Sequence, residues 1–202
     1  MYTPNKFVEK DEQRLLQLVD ENSFGTLISV VDDLPVATHI PFLVEKTGAL
    51  KLVAHLAKAN PHWQFLKSNP EAMVIFHGPH SYISPTWYTE NDAPTWNYAV
   101  VHFSGSASVF TDTARLRDIV EALATKHEKT NTNPWKPEYP AHELRGIVGI
   151  EIEVNQIEGK FKLNQNRPAV DQQNVIEKLC EIGSDNALGV AELMRENMLK
   201  KK

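Results

Sequence analysis

Within "DEQRLLQLVDEN" (11–22), Leu15, Leu16, Leu18 and Val19 fall on one helical stripe and predict a first helix. Beyond it the period shortens to two. "GTLISVVD" and "LPVATHIPFLVE" read as strands, the second interrupted at Pro41. A proline has no N–H for a ladder, so it suits an edge or a bulge better than a sheet centre. "EKTGA" reads as a hairpin turn into "LKLVAHL" (50–56). In "AKANPHWQFLKSNPE", Asn60 is placed to cap a short helix with Pro61 at its first position, ending near Asn69-Pro70.

"AMVIFHG" and "SYISPTWY" read as two further strands, and a polar loop from Thr89 to Pro94 leads into a long one, "TWNYAVVHFSGSASVF". On that strand Trp96, Tyr98, Val100 and His102 share one face, and Asn97, Ala99, Val101 and Phe103 the other. "TDTARLRDIVEALATKHEKT" carries Leu116, Ile119, Val120 and Leu123 as a stripe behind a Thr/Asp cap, a helix of about four turns. After the loop "NTNPWKPEYP", "GIVGIEIEV" alternates Ile150, Ile152 and Val154 with Glu151 and Glu153. "KFKL" alternates again, and from Asp171 the pattern is that of two helices with a break at "IGSDN" (182–186).

This gives roughly seven strands without βαβ alternation, which predicts a mainly β, α+β fold: an antiparallel barrel with peripheral helices. Residues 1–170 form the barrel domain in this reading, and 171–202 a helical extension packed on it.

Composition narrows the function classes. The 202 residues suffice for one sizeable core, and 42% hydrophobic with 23% charged residues is ordinary for a globular chain. Lys+Arg number 21 against 26 Asp+Glu, a net charge of −5 that argues against direct DNA binding. A local basic face stays open. The single cysteine, Cys180, excludes an intramolecular disulfide and a Cys-rich zinc module. "MYTPNKFVEKDEQ" has no apolar signal core, and no apolar run approaches the ~20 residues that span a bilayer. A soluble cytoplasmic protein is the expectation.

Four segments have the residue types for chemistry. "HLAKANPHW" (55–63) joins a strand to a helix start, where free N–H groups and the charge of Lys58 suit an anion. An ordinary connection with an exposed lysine reads equally from these residues. "HGPHSYISPTWY" (77–88) gathers His77, His80, Tyr82, Trp87 and Tyr88, a density found in pockets for planar ligands and in aromatic cores alike. His77, His80 and His102 lack the spacing of a metal motif. "TWNYAVVHFSG" (95–105) suits a barrel interior or a dimer interface. "EGKFKLNQNR" (158–167) places Lys160 and Lys162 on one face with Asn164 in line. These cations and amides suit phosphate oxygens or the edge of a heterocycle. A sheet edge guarded by lysines has the same pattern. No GxSxG, GxGxxG or P-loop is present.

"MYTPNKF", "HIPF" (39–42), "HLAKANPHW", "FHGPHSYISPTWY", "PTWNYAVVHFSG" and "EGKFKLNQNR" occur in the order and spacing of one family. From Met1 to about Asp171 the chain resembles the PaiB-type FMN-binding negative transcriptional regulators. Ala93 departs from the pattern, standing where that family usually carries a bulkier apolar residue. The resemblance implies a flavin-binding split β-barrel, similar to pyridoxine-phosphate oxidases and flavin reductases, and a homodimer with FMN at the subunit interface. It implies phosphate binding near Lys58 and Asn60, and a second wall formed by Lys160, Lys162, Gln165 and Asn166. His39 and His55 would lie on inner strands beside it. It also implies a regulatory role, although the chain has no convincing helix-turn-helix and "KKK" at its end reads as a solvated tail. Any effect on transcription is therefore expected to be indirect. A flavin-dependent oxidoreductase or a haem-handling protein on the same scaffold is the alternative, with His39, His55, His77, His80 and His102 as axial candidates.

Overall fold

In a computed structural model that describes residues 1–46, 48–90, 92–137 and 139–200, the alternating segments form one antiparallel sheet. The elements run β1 (Val8–Glu9), α1 (Glu12–Glu21), β2 (Phe24–Val31), β3 (Leu34–Pro41), β4 (Leu43–Glu45) and β5 (Lys51–Ala57). They continue through α2 (His62–Ser68), β6 (Glu71–Ile83), β7 (Thr95–Phe110), α3 (Thr113–Glu128) and α4 (Ala141–Leu144). β8 (Ile147–Lys162), α5 (Ala169–Ile182) and α6 (Asp185–Leu199) complete the chain. The sheet order is β3-β2-β6-β7-β8-β5-β4, with β1 added along β8.

Local chemistry explains most boundaries. Asp32 and Asp33 both have positive φ, 49° and 63°, the backbone that a two-residue turn needs to join two twisted strands. β2 and β3 therefore pair in register from Val31↔Leu34 to Phe24↔Pro41. β3 is an edge strand and ends at Pro41, where a missing N–H costs nothing. The Asp112 carboxylate caps α3 by accepting the Arg115 N–H. Gly183, at φ 68°, ends α5, and the Ser184 hydroxyl starts α6 by accepting the Ala187 N–H.

Three expectations are corrected. "AMVIFHG" and "SYISPTWY" are not two strands: β6 runs unbroken through Pro79 to Ile83, and the His80 N–H goes to Asn186 Oδ1. "GIVGIEIEV" and "KFKL" are likewise one strand of 16 residues. Asn60 does not cap α2. The helix starts a residue later, at His62 after Pro61, and the Asn60 side-chain oxygen accepts the His62 N–H in a local turn. The "EKTGA" turn, the Thr89–Pro94 loop, the "NTNPWKPEYP" loop and the terminal "KKK" lie partly outside the described residues, at Thr47, Asn91, Glu138 and Lys201–Lys202.

The chain forms two compact units interleaved in sequence. One contains residues 19–76 and 102–157. Its core holds Phe42, Phe76 and Phe103, stacked edge to face at 5.6 and 5.7 Å between ring centres. Leu116, Ile119, Val120 and Leu123 form the buried stripe of α3, and Ile119 and Leu123 pack on Val53 of β5. His62 is fully buried here, bonded at 2.8 Å to Ser29 Oγ of β2 and at 2.8 Å to Thr38 Oγ1 of β3. One imidazole thus fastens α2 to the β2–β3 hairpin.

The other unit contains residues 1–18, 77–101 and 158–202. Val175, Ile176 and Leu179 of α5 and Val190, Ala191 and Met194 of α6 are buried in it. Arg14 is its polar fastening. The guanidinium donates to Glu9 Oε2 at 2.7 Å, to Glu196 Oε2 at 3.0 Å and to Asn197, and it lies 4.7 Å from the Phe161 ring centre.

Burial pushes the pKa of both His62 and His55 below the ordinary 6.5. A histidine kept neutral by folding contributes stability that is present above pH 6.5 and lost as pH falls through its lowered folded value. Denaturant unfolding from pH 8 down to pH 5 should therefore show falling stability, less steeply in His62→Gln. His62→Ala should cost about 3 kcal/mol at neutral pH, because it strands buried hydroxyls and opens a cavity. A pH-independent wild type would contradict this account.

Candidate functional site

The cationic face of β8 is built by alternation. Phe161 and Leu163 are buried, so Lys160 and Lys162 emerge together on the other side. The strand ends at Lys162, and Asn164 turns the chain with φ 60°. Gln165 secures the turn, accepting the Leu163 N–H at 2.7 Å and donating to the Phe161 carbonyl. Asn164 does not continue the lysine row as expected. It is buried and donates at 3.1 Å to the Tyr88 hydroxyl.

Lys160 Nζ donates to the Tyr2 carbonyl at 3.1 Å and lies 5.4 Å from the Tyr98 ring centre. Lys162 Nζ donates to the Trp96 carbonyl at 2.9 Å and to Thr95 Oγ1. A cleft of about 480 Å³ opens between them and Tyr2, Phe7, Pro94 and Trp96. A smaller one of about 170 Å³ shares Phe7, Pro94, Thr95 and Lys162, and adds Asn166 and Arg167.

The charge in this region is unbalanced. Burial, and then the like charges of Lys160 and Arg167, push the Lys162 ammonium below the usual lysine range. Arg167 pairs with Asp92 and lies over the Tyr88 ring at 5.0 Å. Neither lysine has a carboxylate partner among the described residues, and no Asp or Glu lines either cleft. Such a site favours an anionic ligand with an aromatic body.

The other candidates belong to the second unit. His39 is exposed on the edge strand β3, not on an inner strand, and its Nδ1 lies 3.0 Å from Thr26 Oγ1. His55 does sit on an inner strand, β5, and lines a different cleft with its buried Nδ1 unpartnered. Asn60 is committed to the His62 N–H at 3.0 Å and to Thr38 Oγ1 at 3.4 Å. Lys58 is exposed, its carbonyl accepting the Trp63 ring N–H at 3.0 Å. With the turn engaged internally and α2 only seven residues long, the side chain of Lys58 is what this corner can offer an anion.

Lys160, Lys162 and Asn166 are therefore brought to one pair of clefts, with Gln165 shaping the turn beneath them. Sequence reasoning did not select Arg167, Tyr98 or Tyr2 as site residues. The shared face of Trp96 and Tyr98 was the available signal for one of these. Among the described residues no three His, Cys, Asp or Glu side chains, His77 and His102 included, are placed to hold a metal ion together. His80 instead lies beside Trp96, 6.3 Å between ring centres.

Solved structures define the class. The FAD and heme binding protein from Mycobacterium smegmatis superposes with a TM-score of 0.64 at 18% identity, covering 82% of this chain and 78% of that one. The flavocytochrome Anf3 from Azotobacter vinelandii gives 0.61 at 13% identity, over 77% and 69%. The fold is the split barrel of flavin-binding proteins.

The family described as "Putative FMN-binding domain" matches residues 1–156, and the chain belongs to it. FMN is the cofactor of that family. Protease synthase and sporulation protein PAI 2 of Bacillus subtilis (strain 168) is 38% identical over 206 residues, 99% of each chain. Among the described residues no helix is long and apolar enough to cross a membrane.

Proposed function

We propose that the cationic clefts around Lys160 and Lys162 hold FMN, and that the protein acts as a homodimer with an indirect role in gene expression. The observation that carries the site is the desolvated, unneutralised Lys162 beside Lys160 and Arg167. Burying ammonium groups without carboxylates is costly, and an incoming phosphate offsets that cost. The fit extends to the rest of the ligand. Tyr2, Trp96 and Tyr98 supply aromatic surface for a flat ring, and Asn166 an amide at the rim. The larger cleft lies within the roughly 300–1,000 Å³ usual for organic ligands.

Bound FMN would supply one- and two-electron redox chemistry at its ring. The chain's own part is to hold and orient. Lys160 and Lys162 would neutralise the phosphate, and the Gln165 turn would keep them at fixed spacing. The exposure of Tyr2 (85%) and Trp96 (52%) at the cleft leaves apolar surface that a second copy would cover.

The Bacillus subtilis relative is named for protease synthesis and sporulation, which supports a role in controlling gene expression. Direct DNA contact has little support in the C-terminal helices. α5 carries Asp171, Glu177 and Glu181 against Lys178, and α6 carries Asp185, Glu192 and Glu196 against Arg195. Lys178 and Arg195 are paired with Glu181 and Glu192, at 2.7 and 3.3 Å.

Titration with FMN, followed by flavin fluorescence, tests the site. Lys160→Ala and Lys162→Ala should each weaken binding about tenfold, the loss of one charge-assisted hydrogen bond. Because Lys162 loses its proton earlier than an ordinary lysine, affinity should fall as pH rises through that lowered value, and Lys162→Arg should remove the fall. Full affinity in both alanine variants, with the loss appearing in Lys58→Ala, would move the phosphate to the β5–α2 corner. Fluorescence anisotropy with duplex DNA tests the regulatory reading: no binding is expected at physiological salt, and salt-sensitive micromolar binding would overturn indirect action.

A further inference from the structure

In the unit built from residues 19–76 and 102–157, a cleft of about 440 Å³ has the opposite charge pattern. Glu128 and Glu143 line it together with His55 and His127, and no lysine or arginine does among the described residues. Its floor is apolar, formed by Val120, Leu123, Leu144 and Ile147. Trp135 and Tyr139 supply an aromatic wall, packed edge to face at 5.4 Å between ring centres.

That wall is held in place. Glu128 Oε2 accepts the Trp135 N–H and the Asn131 side-chain amide, both at 2.8 Å, which keeps the carboxyl ionised below its usual range. Arg117 of α3 donates to the Tyr139 carbonyl at 3.0 Å, and its charge is turned toward Glu121 at 3.7 Å. Burial, followed by the charges of Glu143 and Glu121, pushes the Tyr139 phenol up. His55 stays neutral at pH 7, since burial pushes its imidazole down, and adds no opposing charge.

We propose that this cleft binds a small organic ammonium ion with an apolar stem, its charge between the Glu143 and Glu128 carboxylates and the faces of Trp135 and Tyr139. Each feature suits that class and disfavours others. Carboxylates and aromatic faces both attract a cation, and the apolar floor rewards a hydrocarbon stem. A carboxylate or phosphate ligand would meet two like charges and, among the described residues, no lysine or arginine. The proposal requires only that FMN sits outside this cleft.

Calorimetric titration of the FMN-loaded protein with benzylammonium chloride tests it, with benzyl alcohol and benzoate as comparators of similar shape. Benzylammonium should bind about tenfold or more tightly than either, a difference of about 1.4 kcal/mol. Glu143→Gln and Trp135→Leu should each weaken it about tenfold while flavin absorbance is unchanged. Glu143 is exposed, so its substitution leaves the core intact. No heat at tens of millimolar, equal binding of benzyl alcohol, or indifference to both substitutions would overturn the proposal. Release of FMN by benzylammonium would also overturn it, by making this cleft the flavin's own.

Discussion

A long strand keeps its shape only if each residue meets the surroundings that its face demands, and three such strands carry this protein. β6, β7 and β8 span 13, 16 and 16 residues, and each contributes to both compact units. In β7 the buried positions remain odd-numbered from Asn97 to Ala107, apart from Val100. In β8 they are even-numbered at Val148, Ile150 and Ile152, apart from Gly149, then odd-numbered at Gly159 and Phe161. The half-exposed stretch between them, Val154 to Glu158, absorbs the change. A one-residue slip past that point would bury Lys160 and Lys162 and expose Phe161 and Leu163, so the register decides whether the cationic clefts exist at all.

Desolvated polar groups do two different jobs in the molecule. His62 is buried with both ring nitrogens bonded, and Arg14 is buried with its two terminal nitrogens bonded and only its Nε left over; both act as fastenings between elements. A buried histidine with both ring nitrogens bonded stabilises its surroundings and has no capacity left for a ligand. Lys162 and His55 are incompletely compensated. One lacks an anion, and the other has a buried nitrogen without a partner. Between the two buried histidines, that difference in satisfaction separates a structural from a functional candidate better than residue type does. It also places the two readings of ligand chemistry in clefts of opposite charge.

Fold and role rest on different grounds. The split barrel is shared with flavin and haem proteins at 13–18% identity, a level that shows the architecture and not the site. The family supplies FMN. The side chains proposed to receive it are chosen on charge, burial and hydrogen bonding in this chain.

Much of this was readable in the amino-acid order. Period-two and helical stripes located β2, β5, β7, α1, α3, α5 and α6, because alternation and amphipathicity record burial directly. Lys160 and Lys162 were identifiable as a pair for the same reason. Other features depend on partners distant in sequence. Pro79 and the polar "NQIEG" stretch look like strand breaks, yet neighbouring strands keep the chain extended through both. Nothing local distinguishes His62, bonded to residues 24 and 33 positions away, from the exposed His39. Nor does Asn60 announce that its amide turns back onto the His62 N–H and Thr38. The sequence by itself determined most of the elements, the fold class and the family. The tertiary structure decided which polar groups are already satisfied, because satisfaction is a property of pairs that only folding brings together.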